Sequence, residues 1–450
     1  MLRDRVLLRS ASPATVTVNV EQRLDAAPAD LAWPYDVAIV GLGYVGLPTA
    51  LAFHAAGLRV LGVDINEHRL ADIRSGAPDL LGSDRARLTS AGSSAAWELS
   101  SDLSRVNRAR TVIVCVPTPV NAHSVPDLRA LRGASAAVVA EARPGQLLML
   151  TSTSYAGCTR DLVVGPLEAR GLRVGIDVHV AYSPERINPA VESFSHEDVP
   201  RVVGGATRAC GDVAVAVLQQ YVRSTHLVES LEVAELTKLL ENTFRAVNIA
   251  FINEFAAVCS SLDVPVSDVI DAAATKPFGF TPFRPGPGVG GHCIPCDPHY
   301  LLWQLKADQT RAPILEEAMS GLSQRPRFVA SRVRELLADA GTRAMDARVV
   351  VIGVAYKPNV SDVRESTALE VISRLRTAGV EVEYVDAHVP SIRLRDSTQL
   401  RSIRADDIGA PSLILVHTRH DSFDLDSLPK HARVLDATYT LAQSADCTHL

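Results

Sequence analysis

Tyr35 to Asp64 read YDVAIVGLGYVGLPTALAFHAAGLRVLGVD, and the order of patterns inside this stretch decides the fold. Tyr35–Val40 is a short apolar run without polar alternation, as expected of a strand buried on both faces of a parallel sheet. From Tyr44 the apolar residues recur at helical spacing until Gly57 ends the run, and Leu58–Asp64 returns to strand composition. Strand, helix and strand in that order make one βαβ unit. Gly41, Gly43 and Gly46 fall at the turn from strand to helix, with Tyr44 and Val45 between them. Glycines there allow a tight turn and let a pyrophosphate approach the amide end of the helix. Asp64 closes the second strand about 20 residues further on, where a carboxylate accepts a ribose 2′-hydroxyl and repels a 2′-phosphate. The pattern predicts NAD in preference to NADP.

Outward from this unit, TVIVCV (Thr111–Val116) and GQLLMLTS (Gly145–Ser152) read as further buried strands. Helical patterns lie around Asp127–Ala142 and Thr159–Arg170, and the alternation predicts a doubly wound parallel sheet. Ser230–Leu262 contains no proline and keeps one helical period, which predicts a single helix of about nine turns that packs against a partner. Lys276–Leu301, KPFGFTPFRPGPGVGGHCIPCDPHYL, is dense in Pro and Gly, and an irregular segment of that length inside a folded protein is usually functional. A helical region near Arg325–Ala340 follows. ARVVVIGVAY, STALEVISRLRTAG and VEVEYVD then repeat strand, helix and strand. The expected fold is therefore α/β, with two Rossmann-like doubly wound parallel-sheet domains joined by a long central helix. Its expected divisions are a flexible arm over 1–34, an NAD-binding domain over 35–225, a central helical and dimerisation domain over 226–340, and a smaller α/β domain over 341–450.

Composition narrows the partners. Lys and Arg number 45 against 51 Asp and Glu, a formal charge of −6, and without a long basic run the chain is not expected to bind nucleic acid. No stretch approaches the ~20 apolar residues of a membrane span and no secretory h-region opens the chain, so a cytoplasmic location and no membrane partner are expected. Seven cysteines, an odd and scattered set, argue against a disulfide framework and leave room for a reactive thiol. Cys293 is followed four residues later by Asp297, and a thiol near a carboxylate suits covalent chemistry on a carbonyl. Lys238 and Asn242 are one helical turn apart, so both can face one site. His292, Cys293, Cys296 and His299 also suit zinc, or Cys293 and Cys296 a redox pair. Structural zinc sites take two ligand pairs from separated segments, however, and no second pair is evident, so no metal is expected.

Ordered matches at GLGYVGLP (Gly41–Pro48), VPTP (Val116–Pro119), STSYAGCT (Ser152–Thr159), YSPERINP (Tyr182–Pro189), ELTKLLENTFRAVNIAFINE (Glu235–Glu254), GVGGHCIPCDP (Gly288–Pro298) and GVAYKPNVSDVRES (Gly353–Ser366) resemble the UDP-glucose/GDP-mannose dehydrogenase family. The resemblance implies four-electron oxidation of the C6 hydroxymethyl of a nucleotide sugar, with two NAD reduced per sugar. It implies Cys293 as the acyl-carrying nucleophile, Asp297 as acid/base partner, Thr118 as the water-positioning hydroxyl and Glu185 as the carboxylate of thioester hydrolysis. It also implies that the Lys238 ammonium and the Asn242 amide stabilise a developing oxyanion. Thr118, Ser152 and Thr153 fall on the cofactor side. Glu185, Arg186, Lys238, Asn242, Phe283, Arg284, Gly290, Lys357 and Arg364 fall on the substrate side, with Lys357 and Arg364 offered to the phosphates. A homodimer or higher homo-oligomer is implied as well, with Ala246, Ala250, Ala256 and Ala257 as its expected close-packing surface. Cys296 stands where the UDP-glucose branch has lysine, which favours the amino-sugar branch and, within it, the pattern of the UDP-N-acetylglucosamine 6-dehydrogenases. UDP-N-acetylmannosamine and UDP-glucose are the alternative substrates. Thr151, Ala156 and Arg284 depart from frequent family residues. A two-electron hydroxy-acid dehydrogenase on a similar sheet needs no nucleophilic thiol, and a silent sugar-nucleotide-binding relative is expected to have lost Cys293, Lys238 or Asp297.

Overall fold

β1 (Tyr35–Val40) lies in the middle of an eight-stranded sheet, parallel to β2 (Val60–Val63) on one side and to β4 (Ala109–Val114) on the other. The computed structural model describes residues 33–450 apart from 79, 81, 122, 187–196, 292, 308, 425–427 and 430. The arm expected over 1–34 thus lies outside the described residues but for its last two. Two compact units divide the chain, one of residues up to Thr118 with Arg129–Leu236, the other of Pro119–Leu128 with Thr237–Leu450.

The first unit's sheet runs β3-β2-β1-β4-β5-β6-β7-β8, with β3 at Trp97–Ser100, β5 at Leu147–Leu150, β6 at His179–Tyr182, β7 at Arg201–Gly205 and β8 at Thr225–Val228. The order 3-2-1-4-5-6 reverses between β1 and β4, and a dinucleotide lies in the crevice at such a reversal. One junction departs from the expected parallel sheet: β6 and β7 are antiparallel. A parallel neighbour needs a crossover that carries the chain back along the sheet, whereas antiparallel strands need none. Val37, Ile39, Leu47, Leu51 and Phe53 from strand and helix meet in one core. Full burial of each such side chain contributes roughly 1.5–3 kcal/mol.

The helix predicted over Ser230–Leu262 is continuous from Leu231 to Ser261. In the second unit it is followed by a helix at Val266–Ala274, the Pro- and Gly-rich segment, and helices at Asp297–Ala307 and Pro313–Asp339. Two expectations shift here. The irregular segment ends at Cys296 rather than Leu301, because Cys293 O accepts the N–H of Asp297 at 2.8 Å and starts a helix whose first turn tolerates Pro298. The helix expected from Arg325 begins twelve residues earlier, at Pro313, with Pro326 inside it. A five-stranded parallel sheet, β10-β9-β13-β14-β15, completes the unit. Its strands are β9 (Arg348–Ile352), β10 (Glu381–Val385), β13 (Leu413–Val416), β14 (Val434–Asp436) and β15 (Cys447–His449), and the antiparallel pair β11 (Ser391–Arg393) and β12 (Gln399–Arg401) follows β10. Its order also reverses beside the first strand, between β9 and β13. The expected pair of Rossmann-like domains is therefore present.

Candidate active site

The turn after β1 has the shape that its glycines require. Gly41 takes φ 91°, a left-handed backbone that side chains disfavour, and a Cβ there would lie 2.6 Å from Cys115 O. A Cβ on Gly46 would lie 1.8 Å from Gly41 O, whereas a Cβ on Gly43 would meet nothing within 4 Å. The first and third glycines are demanded by packing. The second faces open space, the cradle that a pyrophosphate fills. Asp64 accepts the N–H of Leu42 at 2.8 Å and of Asn66 at 2.9 Å, which aims its carboxylate across the glycine turn. These residues fit NAD.

Other cofactor-side positions stand on the same sheet. Tyr44 is exposed and Val45 half-buried at the start of helix Gly46–Ala55. Ser152 Oγ donates to Val116 O at 2.7 Å, and the unusual Thr151 donates to Val114 O at 2.9 Å, so both hydroxyls tie β5 to the end of β4. Thr153 and Thr118 are half-buried. Glu185 is buried and pairs with the buried Arg201 at 2.7 Å, which also donates to Tyr221 Oη at 2.7 Å. Burial opposes the charge of Arg201, but Glu185 and Tyr221 together outweigh it and hold the guanidinium protonated. Arg186 donates from Nη1 to Pro200 O at 2.9 Å.

In the second unit Cys293, Asp297, Lys238 and Asn242 converge. Asn242 Nδ2 donates to Asp297 Oδ2, and both side chains are buried. Burial pushes the Asp297 carboxyl up to about 6, with Lys238 and the Asn242 bond pulling the other way. The Cys293 thiol, half-buried, is pushed up by burial and by Asp297, and pulled down by Lys238, Arg364 and Lys357. Three cations therefore act on the thiol. Lys357 and Arg364 come close because the segment that carries Cys293 lies against theirs: Gly291 N–H donates to Arg364 O at 3.1 Å, and a Cβ on Gly290 would lie 2.7 Å from Tyr356 Cβ. Burial lowers the Lys357 ammonium, and the fork of Arg364 rests on Asp362, Nη2 to Oδ2 at 2.6 Å.

Not every expected residue joins this centre. Arg284 pairs with Asp271 with both side chains largely exposed, the arrangement of a surface arginine. Phe283 packs beside Phe244, ring centroids 5.9 Å apart, and against the small cluster of Ile252 and Ile270. Cys296 is buried and its thiol is pushed up to about 12 by burial, which leaves it a poor nucleophile. His292 lies outside the described residues, among which no group of three metal-ligating side chains is gathered.

Three anchoring residues escaped the sequence reading. Buried Glu235 accepts Gly157 N–H at 2.6 Å, Thr159 N–H at 2.9 Å and Thr159 Oγ1 at 2.7 Å, fixing the STSYAGCT turn. Its spacing of three and seven residues before Lys238 and Asn242 was the available signal, since such residues share a helix face. Asn253 Oδ1 accepts the N–H of Gly286 at 2.9 Å while Arg325 Nε donates to Gly286 O at 2.9 Å. Both backbone groups that open the catalytic segment are thus held from two helices. No spacing rule links Asn253 to Arg325.

A glycine turn with an aspartate aimed across it in one unit, and a thiol among cations in the other, fit a dinucleotide-dependent oxidoreductase. The chain belongs to the UDP-glucose/GDP-mannose dehydrogenase family: that family's NAD binding domain matches residues 35–222, its central domain 232–321 and its UDP binding domain 350–443. It is 32% identical over 389 residues to a UDP-N-acetyl-D-glucosamine 6-dehydrogenase of Pseudomonas aeruginosa, covering 86% of this chain and 91% of that protein. It is 33% identical over 346 residues to the UDP-N-acetyl-D-mannosamine dehydrogenase of Escherichia coli K12, covering 74% and 81%. Among solved structures, a UDP-D-ManNAc dehydrogenase from Pyrococcus horikoshii superposes with a TM-score of 0.83 at 29% identity, over 92% of this chain and 98% of that one. The protein is an NAD-dependent dehydrogenase of this family.

Asp64 is expected to accept the ribose hydroxyl and to repel a 2′-phosphate, and replacement by Ala would remove both. NAD should bind about tenfold more weakly, the worth of one charge-assisted hydrogen bond, and the NADP-to-NAD rate ratio should rise. Steady-state rates with both cofactors measure this; equal rates in the unmodified enzyme would refute the role.

Proposed function

We propose that the chain oxidises the C6 hydroxymethyl of a UDP-N-acetylhexosamine, UDP-N-acetylglucosamine first among them, to the carboxylate through a thioester on Cys293. The observation that carries this reading is the gathering of Cys293 with Asp297, Asn242 and Lys238 under the influence of Lys357 and Arg364. A two-electron hydroxy-acid dehydrogenase has no use for that thiol, and a silent relative has no reason to keep the whole set. Cys296, in place of a lysine, favours the amino-sugar substrates. Relatives named for gluco and for manno sugars stand at 32% and 33% identity, and UDP-N-acetylmannosamine is accordingly the second candidate.

Bound NAD would supply the hydride acceptor, one molecule for each of the two oxidations. The residues supply the rest. Asp297, ionised above about pH 6, takes protons from the reacting hydroxyl, directly or through water. Cys293 Sγ adds to the C6 aldehyde and forms a C–S bond, and the resulting oxyanion is stabilised by the Lys238 ammonium and the Asn242 amide. Loss of the second hydride leaves the thioester. Water then attacks the acyl carbon; the C–S bond breaks and the thiol is regenerated with the carboxylate. One sugar and one water yield one uronate, two NADH and three protons. Lys357 and Arg364 hold the diphosphate, Lys as a point charge and Arg as a fork steadied by Asp362. The deciding experiment is the NADH yield per mole of limiting sugar over a panel of UDP- and GDP-sugars. Two per UDP-N-acetylglucosamine supports the reading, and one per sugar, or no turnover of any UDP-amino sugar, refutes it.

The same reading includes a cytoplasmic homodimer. Along the helix Leu231–Ser261 and just past it, Leu240, Phe244, Phe251, Val258 and Leu262 are all exposed, from 46% to 68%, at helical spacing and so along one stripe. The alanines expected to face the partner do not all do so: Ala246 and Ala256 are buried in the chain's own core, at 0% and 3% exposure. Ala257 is exposed and Ala250 half-buried, so the proposed surface combines these two with the larger apolar side chains. A solution mass of at least two chains at micromolar concentration is expected, and Phe251→Glu should lower it. A monomeric wild type would contradict the assignment.

A further inference from the structure

The two large sheets carry the same clasp after their first strand. In the first, Gly41 (φ 91°) donates its N–H to Val63 O at 2.8 Å, Leu42 N–H donates to Asp64 Oδ2 at 2.8 Å, and Asn66 N–H to Asp64 Oδ1 at 2.9 Å. In the second, Gly353 (φ 76°) donates to Val385 O at 2.8 Å, Val354 N–H to Asp386 Oδ2 at 2.8 Å, and His388 N–H to Asp386 Oδ1 at 2.8 Å. The aspartate aimed at a ribose in one sheet has a twin in the other. Their surroundings differ. Asp386 is 4% exposed and takes three more donors, Ala355 N–H at 3.3 Å, Val389 N–H at 3.0 Å and His420 Nε2 at 3.1 Å. A carboxylate offers about four lone-pair sites, so no capacity is left for a sugar hydroxyl.

His420 links this closed clasp to the substrate segment. Its Nδ1 accepts the N–H of Asn359 at 2.9 Å, which assigns the ring hydrogen to Nε2, facing Asp386. Asn359 sits between Lys357 and Arg364 in the left-handed region, φ 62°. Its side chain completes the tie: Nδ2 donates to Asp421 Oδ2 at 2.7 Å and Oδ1 accepts Asp421 N–H at 3.0 Å. Three hydrogen bonds thus fasten the turn of the Lys357–Arg364 segment to His420 and Asp421. The ring of His388 lies against that of His420, centroids 4.6 Å apart.

We propose that His420 is a positioning residue for the nucleotide-sugar diphosphate, taking the place of a ribose hydroxyl on Asp386 and setting, through Asn359, the segment that presents Lys357 and Arg364. The proposal rests on those two cations being the phosphate-binding residues. Two isosteric variants separate its two bonds. In His420→Asn the amide oxygen replaces Nδ1 and keeps the Asn359 bond; in His420→Gln the amide nitrogen replaces Nε2 and keeps only the Asp386 bond.

Calorimetric titration of the full-length protein with UDP, and separately with NAD, tests the idea, with Lys357→Ala as reference. His420→Gln should raise the UDP dissociation constant about tenfold, His420→Asn by no more than about twofold, and neither should change NAD binding. Asn359→Gly suits the left-handed backbone, loosens the same segment without touching the buried ring, and should weaken UDP about fivefold even if His420→Gln does not fold. If Lys357→Ala weakens UDP while His420→Gln or Asn359→Gly binds it like the wild type, the positioning role is overturned and the cation assignment stands. If both histidine variants lower the melting temperature and lose UDP and NAD binding alike, His420 is merely structural and the proposal fails. If Lys357→Ala binds UDP normally, the cation assignment and the proposal fall together.

Discussion

Cys293→Ser is expected to lower uronate formation on the order of 10³-fold or more, the scale for loss of an essential nucleophile. Burial and Asp297 keep the resting Cys293 thiol protonated at neutral pH, so attack on the aldehyde needs the three neighbouring cations and a base to release the thiolate. A serine hydroxyl starts several orders of magnitude further from its anion, and the same cations cannot close that gap. The first hydride step needs no thiol. The variant should therefore release at most one NADH per active site, and added C6 aldehyde should not restore turnover. Cys296→Ser should stay active, because the buried Cys296 thiol, pushed up to about 12, is not ionised at working pH. Mass spectrometry of the wild type quenched during turnover should find the sugar adduct on Cys293. Full activity of Cys293→Ser would remove the thioester from the mechanism.

The parts of this molecule that were legible in its sequence are those governed by local rules. Strand, glycine turn, helix and acidic strand end around Gly41 and Asp64 follow from period and sterics within thirty residues, and the helix Leu231–Ser261 follows from an unbroken apolar period. Features set by topology were not legible. The antiparallel β6–β7 junction depends on how two strands far apart in sequence pair in the sheet. The helix ahead of Arg325 was hidden by Pro326, which local rules place at a helix start but whose ring is buried inside a longer helix. At the site, Cys293 and Asp297 share one short motif and were readable, as were Lys238 and Asn242 on one turn. Asn253, Arg325 and the pair His420 with Asp386 act across separations of more than thirty residues. Nothing in their own neighbourhoods marks them. The burial of Ala246 and Ala256 has a related cause: small residues suit either a tight helix pair or a tight core, and only the fold decides which side faces inward.

Asp297→Asn is expected to lower kcat about 10²- to 10⁴-fold, the range for loss of a general base, and its pH dependence provides the sharper test. Burial raises the wild-type carboxyl from 3.8 to about 6. Activity should therefore fall as pH drops through about 6, and this acidic limb should vanish in the variant's residual rate. Stability should move in the opposite sense. Because the folded-state value exceeds the unfolded one, the folded protein binds more protons between pH 3.8 and 6, and this group's contribution to stability declines as pH rises across that window. The shift remains upward despite Lys238 and the Asn242 bond, so their attraction for the ionised form offsets only part of the burial cost. The amide that replaces the carboxyl in Asp297→Asn keeps an acceptor oxygen for Asn242 and carries no buried charge. Relative to wild type, the variant should accordingly melt higher at about pH 8 than at about pH 4. Melting curves at both pH values, set beside the pH–rate profiles, test the two halves together. A variant that keeps the acidic limb, or whose melting difference from wild type ignores pH, would show that another group is the base.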